Sequence, residues 1–190
     1  MLLLVGLGNP GSNYTNTRHN IGFKIIDAIN THFKLSKQKP KFKGLLTTGN
    51  IDEKKIYAIK PLTFMNNSGT AIKELIDYFK IDAKDVFVFH DDMDIDFGKI
   101  KAKFGGSSAG HNGIESIDKF IGKDYSRVRI GIGHPKQKKK VNKHVLEDFK
   151  EDEEEKIKDI ADNIVKMIPT LIDKKIDLFS SKVNQNLNGI

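Results

Sequence analysis

The chain has 190 residues, 38% of them hydrophobic, which suits one compact domain with a single sizeable core. It contains no cysteine, which excludes disulfides, zinc–thiolate sites and cysteine nucleophiles and suits a reducing compartment. The formal net charge is +7, with lysines concentrated in two short stretches, so an anionic partner and a merely solvated surface are both open.

The first predicted element is a buried strand over residues 2–7, a continuous apolar run that ends at a Gly-Asn-Pro-Gly turn. The run lacks a basic leader and is far shorter than the ~20 apolar residues of a membrane span. We therefore expect a cytoplasmic protein with no membrane association. Apolar residues then recur at helical spacing from Ile21 to Phe33 and predict the first helix.

Strands and helices alternate through the middle of the chain. A helix is predicted from about Ser68, and another follows a Gly/Ser loop and ends at Gly122. The predicted strands cover residues 45–51, 55–59, 86–89, 99–104 and 127–132. This alternation predicts an α/β fold, a single domain over residues 1–190 with a twisted mixed β-sheet flanked by helices.

The C-terminal region is predicted to be helical. Acidic residues between 147 and 155 favour a helix N-terminus, and isoleucines from Ile157 to Ile168 mark the inner face of that helix. Pro169 is expected to kink or restart it. Two lysine-rich segments with few apolar anchors, residues 36–42 and 135–142, are expected to be mobile.

Three short patterns suggest other functions. The glycines of residues 6–11 have dinucleotide-binding spacing, but Pro10 and Gly11 interrupt the chain where a helix is required, so we reject that site. Residues 106–110 have the spacing of a nucleophile elbow around Ser108, and a serine esterase stays an alternative, with Asp124 and His134 or His144 as partners. The acids of residues 91–96 are typical of a magnesium site and equally of turns; we expect no metal and no cofactor.

Five segments are more specific in combination. They read GLGNPGSNYTNTRHNIG (6–22), PLTFMNNSG (61–69), HDDMD (90–94), GGSSAGHNG (105–113) and RVRIGIGHP (127–135). In order and spacing they closely resemble bacterial-type peptidyl-tRNA hydrolase over most of the chain, and only the C-terminal region is weakly marked.

The resemblance implies hydrolysis of the ester that joins a peptide to tRNA. It assigns His19 as the general base that activates water and Asp91 as the carboxylate that orients it. Histidine suits the role because its unperturbed pKa is about 6.5. Asp92 competes with Asp91 for the partnership, and His19 alone could be a helix-entry cap.

The resemblance also implies contacts to the substrate. Asn9 would separate N-blocked aminoacyl esters from unblocked ones, and Asn66 and Asn112 would position the substrate. The remaining implied contacts are His111 as a secondary contact, and Tyr14 and Phe64 as flat faces for a base or the peptide. Without the resemblance, each asparagine could simply stabilise a turn and His111 could cap a helix.

Two basic residues, Lys103 and Arg129, align with family residues that grip the 5′ phosphate of tRNA, although basic side chains on alternating strands often just face water. The loop departs from the family at Ala109, where glycine is common, and this puts the loop geometry in doubt. A tRNA-binding domain without activity is a further alternative. With no heptad or apolar strip in the sequence, we expect a monomer whose nucleic-acid partner is tRNA.

Overall fold

The elements form one mixed sheet of seven strands with helices on both faces. The computed structural model describes residues 1–135 and 141–189. The strands are β1 (Leu2–Gly6), β2 (Lys39–Lys41), β3 (Gly44–Ile51), β4 (Lys54–Pro61), β5 (Val86–Asp92), β6 (Ile100–Phe104) and β7 (Ser126–Gly131). The helices are α1 (Ile21–His32), α2 (Ser68–Phe79), α3 (Asn112–Ile121), α4 (Val141–Val145), α5 (Glu151–Ile172) and α6 (Ile176–Leu187). The predicted α/β class and mixed sheet are confirmed.

The strand order is β2-β3-β4-β1-β5-β7-β6. The four central strands are parallel, whereas β2, β3 and β6 pair antiparallel with their neighbours. The C-terminal ends of β1, β4 and β5 therefore lie side by side at one edge of the sheet. Open α/β sheets bind ligands beyond this edge.

Successive residues of the central strands supply two separate cores. Leu2 and Leu4 face the core shared with α1, α5 and α6, whereas Leu3 and Val5 face the core shared with α2 and α3. This alternation is the two-residue period of a strand, and burial of both faces explains why these strands read as continuous apolar runs. Within the described residues, none of the helices is long and apolar enough to cross a membrane.

Glycines bring the start of α1 against the sheet. A Cβ on Gly22 would overlap the backbone nitrogen of Leu7 and the carbonyl oxygen of Phe89, and a Cβ on Gly6 would overlap the carbonyl of Gly22. The backbone of α1 therefore touches the ends of β1 and β5 directly. The turn that precedes α1 is held over these strand ends.

The expectation that residues 36–42 are mobile is wrong. Residues 39–41 form the edge strand β2, where Lys39 pairs with Leu46 and Lys41 with Gly44. The segment also has an apolar anchor, because Phe42 is buried against α2. Of the second segment, residues 136–140 lie outside the described residues.

The restart expected at Pro169 is also wrong, because α5 runs through it to Ile172. Proline removes a single helix hydrogen bond, and the buried neighbours Ile168 and Leu171 hold this stretch in the core. The chain then turns into α6, which covers the outer edge of β6. There Asn184 hydrogen-bonds both the N–H and the carbonyl of Ile100, and such cover keeps an edge strand from pairing with other chains.

Candidate active site

The candidate base lies in a short 3₁₀ turn, Arg18–Asn20, that leads directly into α1. The turn is closed by a hydrogen bond from the Asn20 N–H to the Thr17 carbonyl (3.0 Å). The N-cap of α1 is Asn20, and the His19 side chain bonds to Asp91, so the capping interpretation fails. His19 is 7% exposed and lies at the ends of β1 and β5.

Asp91 and not Asp92 is the partner of His19. Its Oδ1 lies 2.8 Å from the Nδ1 of His19, and the carboxylate is buried. Asp92 accepts a hydrogen bond from the Nε of Arg129 at 2.7 Å and one from the N–H of Asp94 at 2.9 Å. Consecutive residues of a strand point to opposite faces, and β5 continues through both aspartates.

His111 meets the same carboxylate oxygen from the other side. Its Nε2 lies 3.0 Å from Asp91 Oδ1. Its Nδ1 accepts hydrogen bonds from the N–H groups of Gly113 and Ile114 at the start of α3. Nδ1 therefore carries no proton, and Nε2–H donates to Asp91. His111 is thus both the helix cap and a contact of the site.

The pKa values of the pair move apart. Burial by itself lowers the pKa of His19, but the charge of Asp91 and its hydrogen bond outweigh burial and raise the pKa above its ordinary value. Burial by itself raises the pKa of Asp91, but His19 and His111 outweigh it and hold that pKa far below the usual range. Asp91 is therefore ionised at neutral pH and accepts the Nδ1–H of His19, which leaves Nε2 as the basic atom.

The donor chemistry does not fit a resident metal ion. Ligand atoms of His19, Asp91 and His111 lie within 4.8 Å of one another. A metal ion bound to Nε2 of His111 would leave the imidazole proton on Nδ1. That proton would then face the backbone N–H groups of Gly113 and Ile114, which now donate hydrogen bonds to Nδ1.

The acids at the end of β5 and just beyond it bond to different partners and not to one another's. Asp91 serves the two histidines, Asp92 serves Arg129, and Asp94 lies 2.9 Å from His134. The turn-forming interpretation of the acidic cluster holds for Asp92, which accepts the backbone N–H of Asp94.

The Asn9 side chain is held in one orientation. Its Oδ1 accepts the N–H of Met65 (2.8 Å), while its backbone N–H and carbonyl bond to the side-chain amide of Asn20 (2.8 and 2.9 Å). The oxygen is turned toward the Met65 N–H, so the amide NH₂ is the group that Asn9 can offer to a ligand. Asn20, to which the sequence assigned no role, locks this arrangement.

The three predicted asparagines surround one open groove of roughly 510 Å³. Beside the candidate base, the groove has an apolar wall from the segment before α5. Its lining residues are Asn9, His19, Phe64, Met65, Asn66, Asn112, Val145 and Leu146. A smaller cavity of about 90 Å³ shares His19, Asn112 and Val145 with the groove and also reaches Asp91 and His111.

Phe64 enters the groove from a backbone conformation that is rare for a bulky residue, with φ 53° and ψ 157°. Its side chain is 53% exposed. Strained residues of this kind persist where surrounding contacts determine them, and here Asn9 holds the next N–H. The ring of Tyr14 packs edge-on against Phe64, with centroids 6.3 Å apart, so Tyr14 supports Phe64.

Lys103 and Arg129 lie near the sheet edge formed by β6 and β7. Lys103 pairs with Arg127 in the ladder, one step from Arg129 on the same face. Burial and then the positive charges of Arg129 and Arg127 lower the pKa of Lys103. The charge of Arg127 is offset by Asp118 (2.8 Å), and the Nε of Arg129 is occupied by Asp92.

The Ser108 alternative lacks its partners. The Ser108 hydroxyl donates to Glu115 at 3.2 Å. His134 bonds to Asp94, and His144 bonds to the carbonyls at the end of β7. Ala109 in the same loop has φ 48°, a left-handed conformation that glycine adopts more easily, so the departure from the family pattern adds local strain.

Sequence reasoning missed Val145 and Leu146 as lining residues. They lie in the weakly marked C-terminal region, more than 120 positions from His19, and no local pattern connects them with the base.

Comparisons with known proteins agree on one family. The family model described as peptidyl-tRNA hydrolase matches residues 3–189. A peptidyl-tRNA hydrolase of Pelagibacter ubique is 72% identical, covering 97% of this chain and 99% of that protein. One from Ehrlichia ruminantium is 46% identical over 95% of this chain and 93% of its own. The crystal structure of the Acinetobacter baumannii enzyme superposes with a TM-score of 0.90 at 34% identity, covering 97% of this chain and 94% of that one.

Replacing Asp91 with Asn tests the assigned partnership. The variant keeps the buried environment that lowers the His19 pKa but removes the negative charge that raises it, so the His19 pKa should fall. The His19 ring signals, assigned with a His19→Gln variant, are titrated by NMR. Asp92→Asn is the matched control and should leave the His19 pKa unchanged. The reverse pattern would make Asp92 the partner.

Proposed function

Because the chain belongs to the peptidyl-tRNA hydrolase family and hydrolyses peptidyl-tRNA, we propose that His19 is its general base. The observation that carries this is the bond from His19 Nδ1–H to the buried Asp91, which leaves Nε2 free in the groove. The proposal extends to a monomeric enzyme in the cytoplasm, where ribosomes make its substrate.

The reaction needs no covalent enzyme intermediate. His19 Nε2 takes a proton from water as the water oxygen bonds to the ester carbonyl carbon. Asp91 stabilises the imidazolium that forms. When the tetrahedral intermediate collapses, the bond to the ribose oxygen breaks and His19 returns the proton to that oxygen. The peptide leaves as a free acid and the tRNA regains its terminal hydroxyl.

Asn9 accounts for selection of blocked substrates. The bond from the Met65 N–H fixes the orientation of the Asn9 amide, so that its NH₂, which can only donate, is the group left for the substrate. An N-blocked aminoacyl ester presents an acyl carbonyl that accepts from this NH₂. An unblocked ester presents an ammonium, which is also a donor and finds no acceptor there. Asn66 and Asn112 lie on the same groove and complete the contacts to the substrate.

The basic residues of β6 and β7 would bind the tRNA phosphate. Burial is the main cause that lowers the pKa of Lys103, and the charges of Arg129 and Arg127 lower it further, so a phosphate bound here would relieve the repulsion among these cations. Arg129 uses its Nε for Asp92 and keeps its terminal nitrogens for a phosphate.

Replacing His19 with Ala tests the base. Turnover of an N-acetylated aminoacyl-tRNA should fall roughly 10²–10⁴-fold, the usual contribution of a general base. Affinity for tRNA, measured by filter binding, should be nearly unchanged. His32→Ala, at an exposed position at the end of α1, is the control and should retain activity. Near-normal turnover in His19→Ala would exclude the mechanism.

Asn9→Asp tests the selection of blocked esters. One carboxylate oxygen can still accept the Met65 N–H, while the other replaces the NH₂ and attracts an ammonium. The ratio of kcat/KM for N-acetylaminoacyl-tRNA over aminoacyl-tRNA should fall roughly 5- to 150-fold, as expected for a lost hydrogen bond of about 1–3 kcal/mol. Asn66→Asp, an exposed lining residue, is the comparison variant. An unchanged ratio in Asn9→Asp would remove Asn9 from this role.

Lys103→Ala tests the phosphate contact. KM for intact peptidyl-tRNA should rise while kcat at saturation changes little, because a contact made equally in ground and transition states affects KM alone. A minimal substrate of peptide, ester and terminal adenosine should be unaffected. The log–log salt slope of tRNA binding should flatten by somewhat under one unit.

Lys39, an exposed lysine on the opposite edge strand, provides the matched control. Lys39→Ala should change neither KM for intact peptidyl-tRNA nor the salt slope of tRNA binding. Arg129→Ala is a less direct probe because it also leaves Asp92 unpaired. Equal losses on both substrates would assign Lys103 to the fold or the site and not to phosphate.

A further inference from the structure

Arg18, the neighbour of His19, is a buried cation that points away from the groove, and it is 4% exposed. Its Nη1 donates to the carbonyl oxygens of Glu147 (3.2 Å) and Asp148, and its Nη2 lies 2.6 Å from a carboxylate oxygen of Glu153. The guanidinium also stacks 5.3 Å from the centre of the Phe149 ring. One side chain thus binds the whole segment that leads into α5.

The backbone of the same two segments is paired as well. The Arg18 N–H donates to the Glu147 carbonyl (3.0 Å), and the Phe149 N–H donates to the Asn16 carbonyl (3.2 Å). Thr17 and Asp148 form an antiparallel bridge. Arg18 therefore ties residues 16–18 to residues 147–149 through both its backbone and its side chain.

This tie lies between two parts of the groove. His19 follows Arg18 directly, and Leu146 precedes Glu147 directly. Val145 and Leu146 are the apolar wall of the groove, and Leu146 is 46% exposed there. The Arg18 contacts therefore tie the wall to the base on the C-terminal side of Leu146, while His144 ties the other end of the wall to the carbonyls that follow β7.

We propose that Arg18 is a positioning residue that sets the width of the groove between His19 and the Val145 and Leu146 wall. On this proposal the wall would contact the first side chain of the peptide, because the wall shares the groove with Asn9, the residue proposed to bind the adjacent acyl carbonyl. This inference rests on the proposed function and deepens it, because it assigns side-chain selectivity to a residue that does not touch the substrate.

A purely structural role is the competing explanation, because Arg18 also tethers α5. Two other contacts test it. Lys24 on α1 lies 3.1 Å from Glu154 on α5 and holds the same helix without reaching the wall. Glu153→Gln removes the carboxylate charge facing Arg18 but leaves the guanidinium bonds to the two carbonyls.

The experiment compares Arg18→Met, Arg18→Lys, Lys24→Met and Glu153→Gln on N-acetylated aminoacyl-tRNAs with small and with large apolar side chains. Arg18→Met should raise KM about tenfold for the large side chain and less for the small one, with a smaller change in kcat, since an apolar contact is worth at least about this factor. Arg18→Lys should restore part of the loss, because an ammonium reaches one carbonyl but not two. Lys24→Met and Glu153→Gln should keep near-normal KM values even where they lower Tm.

A double-mutant cycle keeps the test valid if Arg18→Met does not fold. When Arg18 acts through the wall, Arg18→Lys should change KM little once Leu146 has been replaced with Ala. Additive effects in this cycle, or an equal KM loss in Lys24→Met, would overturn the proposal. Each of these KM values is compared with that of the active wild-type enzyme. Failure of the proposed function would be a different result, namely full activity in His19→Ala.

Discussion

One buried carboxylate oxygen organises the site. Asp91 Oδ1 accepts an N–H from His19 at 2.8 Å and one from His111 at 3.0 Å. A buried charge is tolerable only when it is paired and hydrogen-bonded, and these two imidazoles provide that compensation. The strand β5, the turn before α1 and the start of α3 are joined at this atom, so the geometry of the candidate site and the packing of three elements depend on the same interaction.

Backbone groups remove the ambiguity of the polar side chains here. An imidazole can carry its proton on either nitrogen, and an amide can point either way. The N–H groups of Gly113 and Ile114 make His111 a donor toward Asp91, and the N–H of Met65 turns the NH₂ of Asn9 outward. Two local constraints accompany this arrangement. Phe64, next to Met65, adopts a strained positive φ, and position 22 must be glycine because the helix backbone touches the sheet there.

Much of the fold follows from periodicity, and the misses have physical causes. The strand predicted to stop at Phe89 continues to Asp92. With the correct end of the strand, alternation alone would have placed Asp91 and Asp92 on opposite faces of the sheet. Phe42 anchors a segment that composition marked as mobile, and core packing carries α5 through Pro169. The contacts of Arg18 join residues about 130 positions apart, and such a pairing leaves no local signal in the sequence.

The neighbouring aspartates divide two electrostatic tasks between the faces of β5. Asp91 directs its charge at His19, whereas Asp92 partly neutralises Arg129 beside Lys103. If Arg129 and Lys103 bind the tRNA phosphate as proposed, the Asp92 carboxylate beside them weakens that contact. Uniform binding of a long substrate lowers KM without accelerating the chemical step, so this loss of affinity does not lower kcat. On the same proposal, the Asp92 pair limits the effect of the +7 net charge close to the site.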